Sequence, residues 1–391
     1  MIALRPSFGL ADVSTFRYSS TFSIRARRWL NGKRQAWRRR RIAAAPQPPF
    51  ELFSLDSSTV AAELAAQLPP NVIVHLHWVA GFVDHLAFFP GVSGRQLVWT
   101  LHDMNPFSGG CHFDNHCARF QDQCGRCPQL GSTSESDLSH EIWCRKKMSF
   151  ENIGPGGLQL VSPSRWLAEV TRKSSLLGNW PCTTIPNGLD TDVYAPAGMS
   201  SARDKLGLPH DARIVLFVAD TLDNPRKGMG HLLAAIEHIK SVEGLFLLSV
   251  GANPPTIPAG LPSCHIRSVN DDGLLAAIYS AADIFVISSL ADNLPNTVLE
   301  SMSCGTPVVG YSSGGIPELV EPMETGLLAE TGDVKALARA IEHILQDRPL
   351  REHCSRVSRA RILDNHTLEA QARQYLRVYS SLAPSHAVLG P

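Results

Sequence analysis

The stretch SSLADNLPNTVLESMSCGTPVVGYSSGGIPELV, Ser288 to Val320, decides how the chain is read. It overlaps the end of one apolar run, ADIFVISS (Ala282–Ser289), and contains a second, TPVVGY (Thr306–Tyr311). Between them NTVLESMSCG (Asn296–Gly305) carries Val298, Leu299 and Met302 at helical spacing. Continuous apolar strands joined by helices indicate a parallel sheet covered on both faces. Asp292 falls in the loop and Glu300, eight positions on, inside the helix, with Asn296 near its cap. SSGGIP (Ser312–Pro317) follows the second strand, and Gly314 and Gly315 there permit close approach of a ligand to the backbone.

The same alternation extends in both directions. ARIVLFVAD (Ala212–Asp220) and GLFLLSVGA (Gly244–Ala252) read as strands, with helices over Met229–Lys240 and Asp272–Ala282. After Gly332 the pattern is helical to about Ser380. Upstream, NVIVHLHW (Asn71–Trp78), RQLVWTLHD (Arg95–Asp103), LQLVS opening Leu158–Val170, and CTTIP opening Cys182–Pro196 form a second strand set. Ser162 or Ser164 is placed to cap the helix after the third of these. With 391 residues, 44% hydrophobic, two α/β domains are expected. They are placed at 51–190, with a cysteine-rich insert at 109–130, and at 200–365. The chain is expected to cross between them near Asp190 to Ser200. Residues 1–50 form a basic leading segment, and 366–391 a last helix and tail crossing back to the first domain. Ligands of open α/β sheets sit at the carboxyl ends of strands, so two facing sheets give a cleft for two substrates.

Lys plus Arg and Asp plus Glu both number 36, which gives no overall pull toward a polyanion, and no nucleic-acid partner is expected. The balance hides RARRWLNGKRQAWRRRR (Arg25–Arg41), nine basic residues with Trp29 and Trp37 among them and no acid. That segment by itself suits a solvated helix, an anionic membrane surface or nucleic acid, in that order. No apolar run approaches the roughly 20 residues of a membrane span, and no cleavable leader is read. The nine cysteines are expected as reduced thiols in the cytoplasm.

Chemistry gathers in the second domain. Backbone N–H groups at a loop-to-helix junction receive hydroxyls or phosphate oxygens, and a carboxylate set back about one turn grips a vicinal diol. NPRKGMGHLL (Asn224–Leu233) adds Arg226 and Lys227 ahead of a helix, a position unfavourable for cations unless an anion is bound. The plainer readings are a turn-forming aspartate, a solvated helix glutamate and a solvated basic pair.

Taken with RKG and IPNGLDTDVY, the Ser288–Val320 stretch resembles glycosyltransferase family 4, retaining enzymes of the GT-B fold. HLHW (His75–Trp78) and VWTLHDMNPFSGGCH (Val98–His112) resemble a bacterial exopolysaccharide and colanic-acid type subgroup. Asp292 stands where that family usually has the first of two glutamates. The resemblance implies that Glu300 holds the ribose hydroxyls of a nucleoside-diphosphate-sugar. Asp292, with backbone groups of Asn293 and Leu294, positions the donor sugar. Arg226 and Lys227 bind the diphosphate, and Gly314 and Gly315 approach the phosphates or the sugar. His102 lies near the transferred sugar, with Asp103 orienting its ring. Of His75 and His77, one faces the cleft and the other packs.

Retention without a protein nucleophile implies front-face transfer, in which the leaving phosphate helps deprotonate the acceptor and the protein stabilises an oxocarbenium-like state. No cofactor is required for that chemistry. The acceptor implied is a polysaccharide or lipid-linked oligosaccharide, at the inner face of the cytoplasmic membrane. A family member usually opens on a strand, a Gly-Gly loop and a helix. MIALRPSFGLADVSTFRYSS lacks a clear version, so the first βα unit is expected to be absent and activity of the chain as written is in question. Two other readings are a non-catalytic nucleotide-sugar-binding scaffold in a polysaccharide assembly complex and a nucleotide-sugar epimerase.

GGCHFDNHCARFQDQCGRCPQL places Cys111, Cys117, Cys124 and Cys127 together, the last two at Cys-x2-Cys spacing. Four thiolates suit a closed structural zinc, with His112 and His116 as spare nitrogen ligands. Reduced loop cysteines or two disulfides are the alternatives.

Overall fold

The computed structural model describes residues 2–3, 14–15, 32–33, 35–42, 52–58, 61–69, 71–239 and 241–382. Two compact units divide the chain: Met1–Val161 with Glu169–Thr183, and Ser162–Ala168 with Thr184–Ser381. The chain passes between them at Thr183–Thr184, ahead of the 190–200 stretch. The local reason is that residues 187–194 already bond to the second unit. Leu189 N donates to His366 O, Asn187 Nδ2 to Leu294 O, and Tyr194 Oη to Asp272 Oδ1. The final helix, Leu368–Leu382, follows the chain to the end of the described residues. The tail expected to cross back, 383–391, lies outside them.

Two short strands near the start, β1 (Ile2–Ala3) and β2 (Ser14–Thr15), pair in parallel. The first unit then holds a four-stranded sheet in the order β3 (Val74–Leu76), β4 (Leu97–Thr100), β5 (Leu158–Ser162) and β6 (Cys182–Thr184). β4 is buried along its whole length, as an apolar central strand must be. Helix Leu138–Phe150 was not anticipated from the sequence. It is capped by Asp137, whose carboxylate accepts from the backbone N–H groups of Ser139 and His140.

The second unit carries six strands: β7 (Arg213–Thr221), β8 (Leu245–Ala252), β9 (Ser263–Ile266), β10 (Ile284–Ile287), β11 (Val308–Tyr311) and β12 (Gly326–Ala329). Their order is β12-β11-β10-β7-β8-β9, all parallel. This is a doubly wound sheet whose order reverses between β7 and β10. Each face packs a separate apolar cluster. Leu216, Leu248 and Phe285 lie in one, and Val215, Leu247 and Val309 in the other. Burying one such side chain contributes roughly 1.5–3 kcal/mol. A buried ion pair braces the sheet's opposite end. Arg203 Nη2 meets Asp283 Oδ2 at 2.8 Å, and the same oxygen accepts from Ile214 N.

Candidate functional site

In a doubly wound sheet the crevice for a ligand opens where the strand order reverses, at the carboxyl ends. Three loops leave that edge side by side: Asn224–Lys227 after β7, Ser288–Pro295 after β10 and Ser312–Gly315 after β11. Asn224 accepts from Arg226 N and caps a tight 3₁₀ turn, Pro225–Lys227, ahead of helix Met229–His238. The turn is joined to the β10 loop by Leu290 N donating to Arg226 O and Ser288 Oγ to Gly228 O, each at 2.8 Å.

This zippering brings Arg226 and Lys227 onto Asp292. Lys227 Nζ lies 2.7 Å from Asp292 Oδ2, and Arg226 Nη1 lies 3.3 Å from the same oxygen. Burial raises the carboxyl of Asp292, but the two cations outweigh it and hold it below the ordinary aspartate value. Arg226 is buried and also donates to Ala291 O, whereas Lys227 is more open. The backbone N–H of Asn293 turns to Asp292 Oδ1 at 3.1 Å, and Asn293 Oδ1 accepts from Ser164 Oγ. The Leu294 side chain is core.

Gly314 and Gly315 lie against the neighbouring loop. A Cβ on Gly314 would stand 1.8 Å from Asp292 O, and one on Gly315 1.9 Å from Asn293 O. Their close approach is to the neighbouring loop, which they press into place. Gly314 also has φ +57, in the left-handed region.

Glu300 lies in helix Asn296–Ser303. Pro295 is the N-cap and makes no side-chain bond. Asn296, expected to cap, instead accepts from Asn187 Nδ2 at 2.9 Å. Tyr279 Oη donates to Glu300 Oε2 at 2.8 Å. Burial pushes the Glu300 carboxyl above its ordinary value, against the Tyr279 bond and with help from Asp272 and Asp220. Tyr279 was invisible to sequence reasoning, being one aromatic in an apolar helix. Its wholly buried ring belongs to the core while its hydroxyl orients the carboxylate.

In the first unit, His102 Nε2 and His77 Nδ1 are 3.0 Å apart just beyond the carboxyl ends of β4 and β3. His75 Nε2 lies 2.8 Å from Thr100 Oγ1. Burial, then its histidine neighbours, lowers His75 to about 3; burial and His102 lower His77 to about 4. Burial lowers His102 as well. All three are therefore neutral hydrogen-bonding rings near pH 7. Asp103 acts on His102 through its charge, which raises that ring against the effect of burial. It accepts from Trp78 Nε1 (3.0 Å), Asn105 N (2.8 Å) and His112 Nδ1 (2.6 Å). His112 Nε2 meets Ser54 Oγ, so both nitrogens of this expected metal ligand are already engaged. Trp78, tethered through Asp103, is 53% exposed beside these rings.

Cys111, Cys117, Cys124 and Cys127 line one cavity. All are free thiols, and among the described residues no three His, Cys, Asp or Glu side chains are already gathered as a metal shell. The expected tetrathiolate set thus shares one space without being drawn onto an ion.

Residues 212–347 match the family described as Glycosyl transferases group 1. D-inositol 3-phosphate glycosyltransferases of Mycobacterium bovis and Mycobacterium tuberculosis are 30% identical over 322 residues, covering 76% of this chain. The chain spans 59% of the length of these curated relatives. Sucrose-phosphate synthase from Thermosynechococcus elongatus matches with TM-score 0.62 and 24% identity, over 79% of this chain and 73% of that one. HepE of Anabaena, solved in complex with UDP, matches with TM-score 0.58 and 17% identity, over 82% and 80%. WaaG, a glycosyltransferase involved in lipopolysaccharide biosynthesis, gives 0.58 and 15%, over 81% and 79%. At such identities the structures establish the fold, which is GT-B. Residues 212–347 thus match the glycosyl transferases group 1 family model, and the two parallel-sheet units have the GT-B fold.

Proposed function

We propose that the chain is a retaining glycosyltransferase that takes a sugar from a nucleoside-diphosphate-sugar and passes it to a polysaccharide or lipid-linked oligosaccharide. The observation that carries this reading is the meeting of Lys227, Arg226 and Asp292 at the point where the strand order reverses. Glu300 stands on the adjoining helix. The HepE structure holding UDP is consistent with such a donor. In this reading Lys227 takes the diphosphate and neutralises the leaving group, Glu300 holds the ribose hydroxyls, and Asp292 turns toward the sugar once its cations are engaged. On the first unit, the neutral rings of His77 and His102 and the exposed face of Trp78 receive sugar hydroxyls and a sugar ring.

Titration with a panel of nucleoside diphosphates and their sugars tests the donor assignment, and mass spectrometry of an extended glycan tests transfer. No binding by any of them would sink the reading. The Asp292 contact yields a sharper expectation. Asp292→Asn removes a negative charge from beside the phosphate cations. Free nucleoside diphosphate should bind more tightly, by up to about tenfold for roughly 1.4 kcal/mol of relieved repulsion, while turnover falls. Weaker nucleotide binding with unchanged turnover would contradict it.

Peripheral membrane association is proposed on a narrower footing than the whole Arg25–Arg41 run. Residues 25–31 and Arg34 lie outside the described residues. Arg38 is buried against Asp56, and Arg41 pairs with Glu141 and covers the ring of Trp37. Exposed Arg39, Arg40 and Trp37 remain for a surface. Among the described residues no helix is long and apolar enough to cross a membrane. Neutralising Arg39 and Arg40 to glutamine should reduce cosedimentation with anionic vesicles by about fivefold per residue, at about 1 kcal/mol each. Equal sedimentation of both proteins would refute it.

A further inference from the structure

The cysteine insert does something the transfer reaction does not need. We infer that Cys111, Cys117, Cys124 and Cys127 form a tetrathiolate site for one structural Zn²⁺ ion that pins the loop following β4.

Three observations converge. First, these four cysteines line a single cavity, although they are spread over 17 residues. Cys144, which sits on helix Leu138–Phe150 against His140, is not among its lining residues.

Second, the backbone is arranged for sulfur that carries charge. Gly109 N donates to Cys124 Sγ at 3.1 Å. In the 3₁₀ turn Pro128–Leu130, Leu130 N donates to Cys127 O at 3.1 Å, which fixes the turn that follows Cys127. A neutral thiol is a weak acceptor, so the Gly109 amide aimed at Cys124 Sγ gains little from it and much from a thiolate. The geometry that allows this is exacting. Gly125 has φ +153 and a Cβ there would meet Glu135 O at 2.4 Å, while a Cβ on Gly109 would meet Cys124 Cβ at 2.7 Å. Arg126, between the Cys-x2-Cys pair, is left-handed at φ 44.

Third, a compensating cation is buried beside the thiols. Lys146 is wholly buried and donates to Asn105 O and Ser108 O, within the field of Cys111 and Cys124. Zn²⁺ with four thiolates carries a net charge of minus two, which an adjacent ammonium halves. A bound divalent cation deprotonates a coordinating thiol outright.

Binding replaces four S–H bonds by four Zn–S bonds and releases four protons to solvent, with no change of oxidation state. Among the described residues no three ligands are yet gathered, so the ion closes the shell by drawing in thiols that already face one cavity. The nitrogen ligands foreseen in the sequence are not needed, because His112 is engaged by Asp103 and Ser54.

The test uses the full chain, purified reduced and supplied with Zn²⁺ or Co²⁺. One metal per chain should survive dialysis and be released by a mercurial. The cobalt form should show the charge-transfer and visible bands of a tetrahedral tetrathiolate. Cys117→Ser and Cys127→Ser should each abolish that spectrum, and Cys144→Ser should leave it unchanged. Failure of the reduced wild-type chain to bind either metal overturns the inference whatever the variants do. So does a tetrathiolate spectrum that persists in Cys127→Ser, or mass-spectrometric detection of disulfides among the four in chain isolated under thiol-blocking conditions.

Discussion

Glutamine at position 300 should weaken binding of the preferred nucleoside diphosphate by about one to two decades, the loss of charge-assisted bonds worth roughly 1.5–3 kcal/mol. The substitution keeps the size and the Tyr279 contact at 2.8 Å but removes the charge that two ribose hydroxyls would share. Tyr279→Phe should give a smaller loss, because the carboxylate stays but is no longer held in one orientation. The pH dependence follows from the raised carboxyl. Acidification through that raised value protonates Glu300 and lowers affinity at a pH where an open glutamate would still be charged. An acid whose folded pKa is raised adds stability as pH falls from that value toward the unfolded one, so the affinity loss is not an unfolding signal. Isothermal titration across pH, with circular dichroism alongside, separates the two. Equal affinity of wild type and Glu300→Gln at neutral pH would remove Glu300 from the donor site.

Gly314→Ala should be the most damaging single methyl in the second unit. Its Cβ would overlap Asp292 O at 1.8 Å, and backbone cannot swing aside as a side chain can. Overpacking costs about 1–3 kcal/mol, and the left-handed conformation adds about 1–2 kcal/mol for a residue with a Cβ. Either the unit loses that stability or the Asp292 loop shifts and Lys227 loses its partner. Thermal unfolding should therefore fall by several degrees, on the order of 2–4 °C per kcal/mol for a domain of this size. Alanine at Gly332, which has open space around it though φ is +86, supplies the control for left-handed strain alone. Equal midpoints for Gly314→Ala and Gly332→Ala would show that the loops do not press together.

What could be foreseen followed local pattern. β7, β8, β10 and β11 announce themselves as unbroken apolar runs because they are buried on both faces. The edge strands β9 and β12 do not. Ser263–Ile266 is only partly buried, and Gly326–Ala329 opens on a glycine whose missing Cβ lets it lie against Val308 O. Helix Leu138–Phe150 escaped because its buried face includes Ser139, Lys146 and Ser149, although Asp137 ahead of it was a fair capping signal. In the site, residue types and their loops were legible, while side-chain partners were not. Nothing local says that Asp103 turns to His112 and Trp78 rather than His102, or that Asp292 bonds the pair contributed 65 residues earlier.

Under the proposed donor assignment, the bond between Asp292 and the cations Arg226 and Lys227 also governs how the site meets salt. A bare Lys–Arg pair would gather mobile anions from solution and release them when a diphosphate arrived, making affinity fall steeply with ionic strength. Here the counter-ion is covalently part of the chain, 2.7 Å from Lys227 and 3.3 Å from Arg226. Nucleotide entry exchanges one anchored anion for another, so few free ions change places. The proposed donor site would thereby be buffered against the ionic composition of its surroundings, its cations held in place without recruiting stray phosphate to do so.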